Sequence, residues 1–152
     1  MLERRVVVVG GGQTSYDVDE QPVGNGRAIA VLLAREGAQV VVADRDEASA
    51  HETVARIAAE GGTAYPVVVD VSEPTSIDAM LQAAVTLLGG LDGLVYNVGI
   101  PGPAGFEETT PEAWDTVIDV NLRGAMLTAR ASLPALDSNS AIVFISSEMS
   151  AA

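Results

Sequence analysis

Residues 6–30 read VVVVGGGQTSYDVDEQPVGNGRAIA, and this stretch decides the fold. Val6 to Val9 form a run too short and too β-branched to open a helix, and they suit a parallel strand buried on both faces. Gly10, Gly11 and Gly12 follow at once. After an interruption of eleven residues come Gly24 and Gly26, with Asn25 between them. A helical pattern then places Ala28, Ile29, Leu32 and Leu33 on one side. A strand that feeds glycines into a helix N-terminus can hold a pyrophosphate. The missing side chains let the backbone approach, and the helix end offers unpaired N–H groups and a partial positive charge.

The elements downstream repeat this strand–helix alternation. The first helix is expected over about 26–36 with Gly37 as its stop. Gln39 to Ala43 (QVVVA) is a second buried strand ending in Asp44, which lies 18 residues after Gly26. Nucleotide-binding βαβ units place an acid for the adenosine ribose roughly 20 residues beyond the glycines. A carboxylate there favours NAD and repels a 2′-phosphate. Arg45 is the feature that could instead accept that phosphate, and the bland role for Asp44 is to cap the next helix. That helix is expected over about 47–60 with Val54, Ile57 and Ala58 inward, ending at Gly61-Gly62. His51, the only histidine, sits among polar neighbours and reads as a surface residue that cannot make a metal site alone.

Ala64 to Val69 is the third strand, closed by Asp70-Val71. Ser72 or Glu73 is expected to cap a helix with Pro74 in its first turn and Ile77, Met80, Leu81, Ala84, Val85 and Leu88 as a core stripe. Leu94 to Tyr96 is the fourth strand, followed by Asn97-Val98-Gly99 and a Pro/Gly loop. Thr110 and Pro111 open a long helix carrying Trp114, Val117, Ile118, Asn121, Leu122 and Ala125 near one face. Asn121 is a polar residue in that apolar stripe, and a backbone-satisfied amide is its plain explanation. After Pro134 and a polar DSNS turn, Ala141 to Ile145 is a fifth strand ending in Ser146-Ser147. The order βαβαβαβαβ implies a Rossmann-like α/β fold, a doubly wound parallel sheet truncated after the fifth strand.

Composition narrows the partners. The 152 residues suffice for one domain with a real core. No apolar run approaches the roughly 18 residues of a membrane span, and the N-terminus runs straight into strand and glycines, unlike a signal peptide. No cysteine is present, which makes a cytoplasmic location the default expectation. The net charge is −13, with eight arginines and no lysine, which argues against nucleic acid as a partner. An anionic dinucleotide must then be held by local backbone dipoles rather than by global charge.

Taken in register, the glycine turn, Asp44, Asp70-Val71, Asn97-Val98-Gly99, Asn121-Leu122 and Ser146-Ser147 resemble the N-terminal part of a short-chain dehydrogenase/reductase, across essentially the whole chain. The resemblance implies one dinucleotide-binding domain over 1–152, incomplete at its C-terminal end. It matches Gly11, Gly24 and Gly26, with Asn25 between the last two, to the family's Thr-Gly-x-x-x-Gly-x-Gly turn. Asp70 and Val71 would lie beside the adenine. Asn97 and Gly99 would steady the sheet and line the cofactor site. Asn121 would support a water relay, and Ser147 would hydrogen-bond the oxygen of a small alcohol or carbonyl substrate, with Ser146 as helper. The implied cofactor is NAD in preference to NADP.

The chain also departs from that family. Gly10 stands at the usual threonine, Val98 replaces the usual alanine, and Gly11 and Gly24 are thirteen positions apart (24 − 11), far beyond the family spacing. The extra loop carries Asp17, Asp19 and Glu20, which should project away from a pyrophosphate. The family's Tyr-x-x-x-Lys motif, which exchanges a proton with substrate oxygen and holds the nicotinamide ribose, has no counterpart here, since Tyr16, Tyr65 and Tyr96 lie elsewhere and there is no lysine. The chain alone is therefore expected to be inactive. Its fifth strand should be an exposed hydrophobic edge that favours a homo-oligomer. Two other readings stay open: a catalytically dead dinucleotide-binding module, and another Rossmann enzyme such as a methyltransferase.

Overall fold

The computed structural model describes residues 3–14 and 22–147. Tyr16, Asp17, Asp19 and Glu20 of the loop, with its expected outward course, lie outside the described residues. Five strands, β1 (Arg5–Val9), β2 (Gln39–Asp44), β3 (Thr63–Val68), β4 (Leu91–Tyr96) and β5 (Leu136–Phe144), form one sheet in the order β3-β2-β1-β4-β5. Every pairing is parallel. The helices are α1 (Asn25–Arg35), α2 (Glu47–Ala59), α3 (Pro74–Leu88), α4 (Pro111–Ile118) and α5 (Gly124–Ser132).

The run of valines in β1 is explained by the two cores it serves. Val7 and Val9 join Val41, Leu94, Tyr96 and the α3 stripe on one face. Val6 and Val8 join Val40, Val42 and residues of α1 and α2 on the other. A strand covered on both sides has no polar face to expose, so period-two alternation is absent. In α3, Ile77, Met80, Leu81, Ala84 and Leu88 are buried, and Gly89 closes the helix in the left-handed conformation at φ 74°.

Several local expectations are corrected. Ala58 of α2 is exposed, and the inward face is Ser49, Ala50, Thr53 and Ile57. The residue that caps α2 is Asp46, which accepts from the Ser49 amide, so Asp44 is released for another role. The long helix is helical throughout but not α-helical throughout: a π-helical turn over Asp119–Arg123 joins α4 to α5. Trp114 and Leu122 are exposed rather than packed. The DSNS segment belongs to β5. Between the pairs Leu91↔Leu136 and Gly93↔Ala141 β5 advances five residues against two on β4, so the polar residues form an irregularity in the register. Asp137 ties that irregularity by accepting from the Asn139 amide and the Ser140 hydroxyl.

Among the described residues β5 is an edge strand, with Val143 and Phe144 exposed. No helix among them is long and apolar enough to cross a membrane.

Candidate functional site

Parallel strands deliver their C-terminal ends to one edge, and the sequence motifs collect there: Gly10–Gly12 after β1, Asp44 at the end of β2, Asp70 beyond β3, and Asn97–Gly99 after β4. The glycine turn is built by backbone contacts. Gly10 takes the left-handed conformation at φ 77°, which a side chain would resist. A Cβ on Gly26 would overlap the Gly10 carbonyl oxygen, so α1 sits directly on the turn. The tight turn therefore falls on Gly10, one position before the glycine matched from sequence.

The amides of the turn are directed into the protein. Those of Gly10 and Gly11 both donate to the Ala43 carbonyl, at 2.8 and 3.1 Å. The Gly12 amide donates to Asp44 Oδ2 at 2.9 Å, and the Gln13 amide to Ser49 Oγ at 2.5 Å. A Cβ on Gly12 would meet Asp44 Oδ2 and Ser49 Oγ, each at 2.7 Å, which explains glycine there. The first intrahelical bond of α1 runs from Ala28 N to Gly24 O, and no side chain caps the helix. The amides of Asn25, Gly26 and Arg27 thus form a first turn open to an anion.

Asp44 stands beside that turn. Its Oδ1 accepts from the Asp46 amide at 3.0 Å, while its Oδ2 holds Gly12. Each oxygen keeps acceptor capacity for hydroxyl donors. The glycine-lined approach, the uncapped helix end and this half-buried carboxylate fit a dinucleotide's pyrophosphate and ribose.

At the next strand, Asp70 Oδ1 accepts from the Ser72 hydroxyl at 2.6 Å and the Ser72 amide at 3.0 Å. These bonds hold its pKa below the ordinary value, with a smaller contribution from the Arg45 charge. Val71 is buried in the core. Asn97 joins β4 to the turn: its amide donates to Val9 O at 2.9 Å and its Nδ2 to Gly10 O at 3.1 Å. These two bonds tie the end of β4 to the glycine turn.

Asn121 lies in the π-helical turn and is exposed. Its Oδ1 accepts from Ile100 N at 2.8 Å and its Nδ2 donates to Ile100 O at 2.9 Å, so a two-point pairing pins the loop after β4. A Cβ on Gly99 would be in ordinary contact, 3.9 Å, with that Oδ1. The buried-stripe placement is replaced by an exposed one, although the amide is satisfied by backbone as expected. Ser146 and Ser147 follow β5 and are exposed; the Ile145 amide donating to Tyr96 O carries the ladder toward them.

One contact escaped the sequence reading. The Tyr96 hydroxyl donates to the Val120 carbonyl at 2.7 Å, and burial pushes the phenol up to about 12. It serves a carbonyl in the π-helical turn. His51 is exposed on α2, 4.0 Å from Glu47.

Comparison with known proteins agrees with this geometry. Residues 22–152 match the family model described as enoyl-(acyl carrier protein) reductase, a short-chain dehydrogenase/reductase model. The chain is 40% identical over 126 residues to 2,5-dichloro-2,5-cyclohexadiene-1,4-diol dehydrogenase LinX of Sphingobium indicum, covering 82% of this chain and 50% of that one. A dehydrogenase/reductase from Sinorhizobium meliloti superposes with a TM-score of 0.88 at 32% identity, over 99% of this chain and 56% of that one. A short chain dehydrogenase from Burkholderia cenocepacia, solved in complex with NADP, gives 0.85 at 28% identity, over 99% and 58%. The chain thus spans about half the length of these relatives. The methyltransferase alternative falls away, because the chain belongs to the short-chain dehydrogenase/reductase family of oxidoreductases.

Proposed function

We propose that these residues form the dinucleotide-binding part of an oxidoreductase that interconverts small alcohols and carbonyls, with NAD(H) preferred over NADP(H). The observation that carries the reading is the meeting, at one sheet edge, of the uncapped α1 terminus and the Asp44 carboxylate beside Gly12. The amides of Asn25, Gly26 and Arg27 hold the pyrophosphate. Asp44 accepts the adenosine ribose hydroxyls, and its charge opposes a 2′-phosphate. Arg45 is exposed beside Asp44, and the proposal gives the carboxylate the deciding role over this neighbouring charge. Asp70 and Val71 border the adenine, and Asn97 and Gly99 line the path toward the nicotinamide.

The bound nicotinamide supplies hydride exchange at carbon. Ser147 is assigned to hydrogen-bond the substrate oxygen. Asn121 fixes the loop beside Gly99, its amide already spent on Ile100. Proton exchange in the family uses a tyrosine and a lysine, and these 152 residues contain no lysine. We therefore assign binding, without turnover, to these residues by themselves. Titration with NADH and NADPH, followed by nucleotide fluorescence, tests the reading. Saturable binding that is tighter for NADH supports it. A flat NADH titration refutes dinucleotide binding, and tighter NADPH binding refutes the role of Asp44.

A further inference from the structure

The turn that holds Gly10–Gly12 is interrupted before α1, and residues 14–23 enter between Gln13 and Gly24. Such an insertion separates two elements that must act together, since the turn and the first amides of α1 face one ligand. Bringing the ends of an inserted segment together costs conformational entropy that a local contact can offset. Among the described residues, the Gln13 side chain bridges the two ends. Gln13 Nε2 donates to the Pro22 carbonyl at 3.2 Å, and Gln13 Oε1 accepts from the Gly24 amide at 3.2 Å. Both functions of the carboxamide are spent on the returning limb.

The main chain of Gln13 is held from the other side. Its amide donates to Ser49 Oγ, and Ser49 Oγ donates to the Gln13 carbonyl at 3.0 Å. Ser49 is buried and is held by Arg27, whose Nη2 donates to Ser49 O and Oγ at 3.3 Å each. Arg27 is 3% exposed and also donates to Thr53 Oγ1 at 2.9 Å and Glu52 Oε2 at 3.0 Å. Since Arg27 belongs to the first turn of α1, the bonds close a circuit: Gln13 to Ser49, Ser49 to Arg27, along α1 to Gly24, and Gly24 back to Gln13. The cluster borders a polar cleft of about 320 Å³.

We infer that Gln13 is a positioning residue for dinucleotide binding, clamping the two ends of the 14–23 insertion so that Gly24–Gly26 return to the glycine turn in binding register. The inference rests on the dinucleotide reading above. It applies to this chain because of the insertion: without residues 14–23, Gly10-Gly11-Gly12-Gln13-Gly24-Asn25-Gly26 is contiguous and covalently has the spacing that the clamp otherwise maintains.

The test compares Gln13→Ala in the full chain and in a chain lacking residues 14–23. In the full chain the substitution is expected to weaken NADH binding about tenfold, the equivalent of one or two lost hydrogen bonds. In the shortened chain it should change affinity less than about twofold. Equal weakening in both backgrounds would overturn the inference, since Gln13 would then act on the nucleotide directly. No weakening in the full chain would overturn it as well. Hydrogen exchange of the Gly24 amide, measured without nucleotide, provides a second arm that needs neither the deletion nor binding. Gln13→Ala should accelerate that exchange about tenfold or more, and unchanged protection contradicts the clamp. If the unaltered protein fails to bind NADH while Gly24 exchange responds, the dinucleotide reading fails and the clamp stands as a loop anchor only.

Discussion

The Gly12 amide donates a 2.9 Å hydrogen bond to Asp44 Oδ2, joining the end of the first strand to the end of the second. The contact sets the carboxylate against the turn, and it requires glycine, because a Cβ at Gly12 would lie 2.7 Å from the same oxygen. Asp44→Ala is expected to weaken NADH binding about tenfold, through loss of the ribose acceptor and of the contact that orders the turn. NADPH binding should fall less, since a repulsive charge is removed with the acceptor. The ratio of the two dissociation constants checks this.

Gly26 supports the turn from the helix side. Gly26→Ala forces its new methyl group into the Gly10 carbonyl. A cost of about 3 kcal/mol is expected from overpacking against backbone. Chemical denaturation measures it, and loss of NADH binding should accompany it.

The two-point pairing of Asn121 with Ile100 and the bond from Tyr96 to Val120 fasten the π-helical turn on two sides. Tyr96→Phe leaves the Val120 carbonyl without its phenolic donor and should cost about 1–2 kcal/mol. Gly124 packs against the same hydroxyl: a Cβ there would lie 2.7 Å from Tyr96 Oη and 2.9 Å from Val71 O. Gly124→Ala should therefore destabilise the protein by less in the Tyr96→Phe background than alone. A double-mutant cycle in urea reads the coupling.

Thr128 on α5 is fully buried, and among the described residues its hydroxyl has no hydrogen-bond partner. Thr128→Val keeps the branched shape and removes the unsatisfied group, so it should raise stability by about 1 kcal/mol. A shift of the denaturation midpoint to higher urea at unchanged slope is the expected result.

At the opposite sheet edge, Asp92 receives Arg5 through Nε at 2.7 Å, Nη2 at 2.8 Å and the Arg5 amide at 2.9 Å. The Arg5 hydrogen bonds hold the Asp92 carboxyl down to about 2. A folded-state pKa below the unfolded value of about 3.9 stabilises the protein above that pH, and the benefit disappears as pH falls toward 2. Because Arg5 is 30% exposed, solvent screening reduces the gain, and Asp92→Asn should cost about 1 kcal/mol at neutral pH. The difference between the two proteins should vanish between about pH 4 and pH 2.

The sequence made the layout legible where one residue type has one physical use. The β1 valines, the α3 stripe and the Thr110-Pro111 helix start all fall where the pattern puts them. It failed where geometry depends on distant partners. Gly10 and Gly11 look alike as letters, and the left-handed backbone and the approach of Gly26 single out Gly10. The π-helical turn has no periodic signature, so the sequence pattern shows the long helix but not its irregularity, and it places Asn121 in the buried stripe. Polar DSNS resembles a turn because the register irregularity it forms in β5 uses turn chemistry, the Asp137 side chain accepting from the Asn139 amide. Gln13 gave no signal, since a glutamine is informative only once its two acceptor and donor partners are known.

The most direct measurement of the central claim is an amide NMR titration of the isotope-labelled protein with NADH. The account predicts saturable shifts that are largest at Asn25, Gly26 and Arg27, with smaller ones at Gly12 and Asp44. NADH binding that leaves the α1 first turn unperturbed, or no saturable perturbation at all, would contradict it.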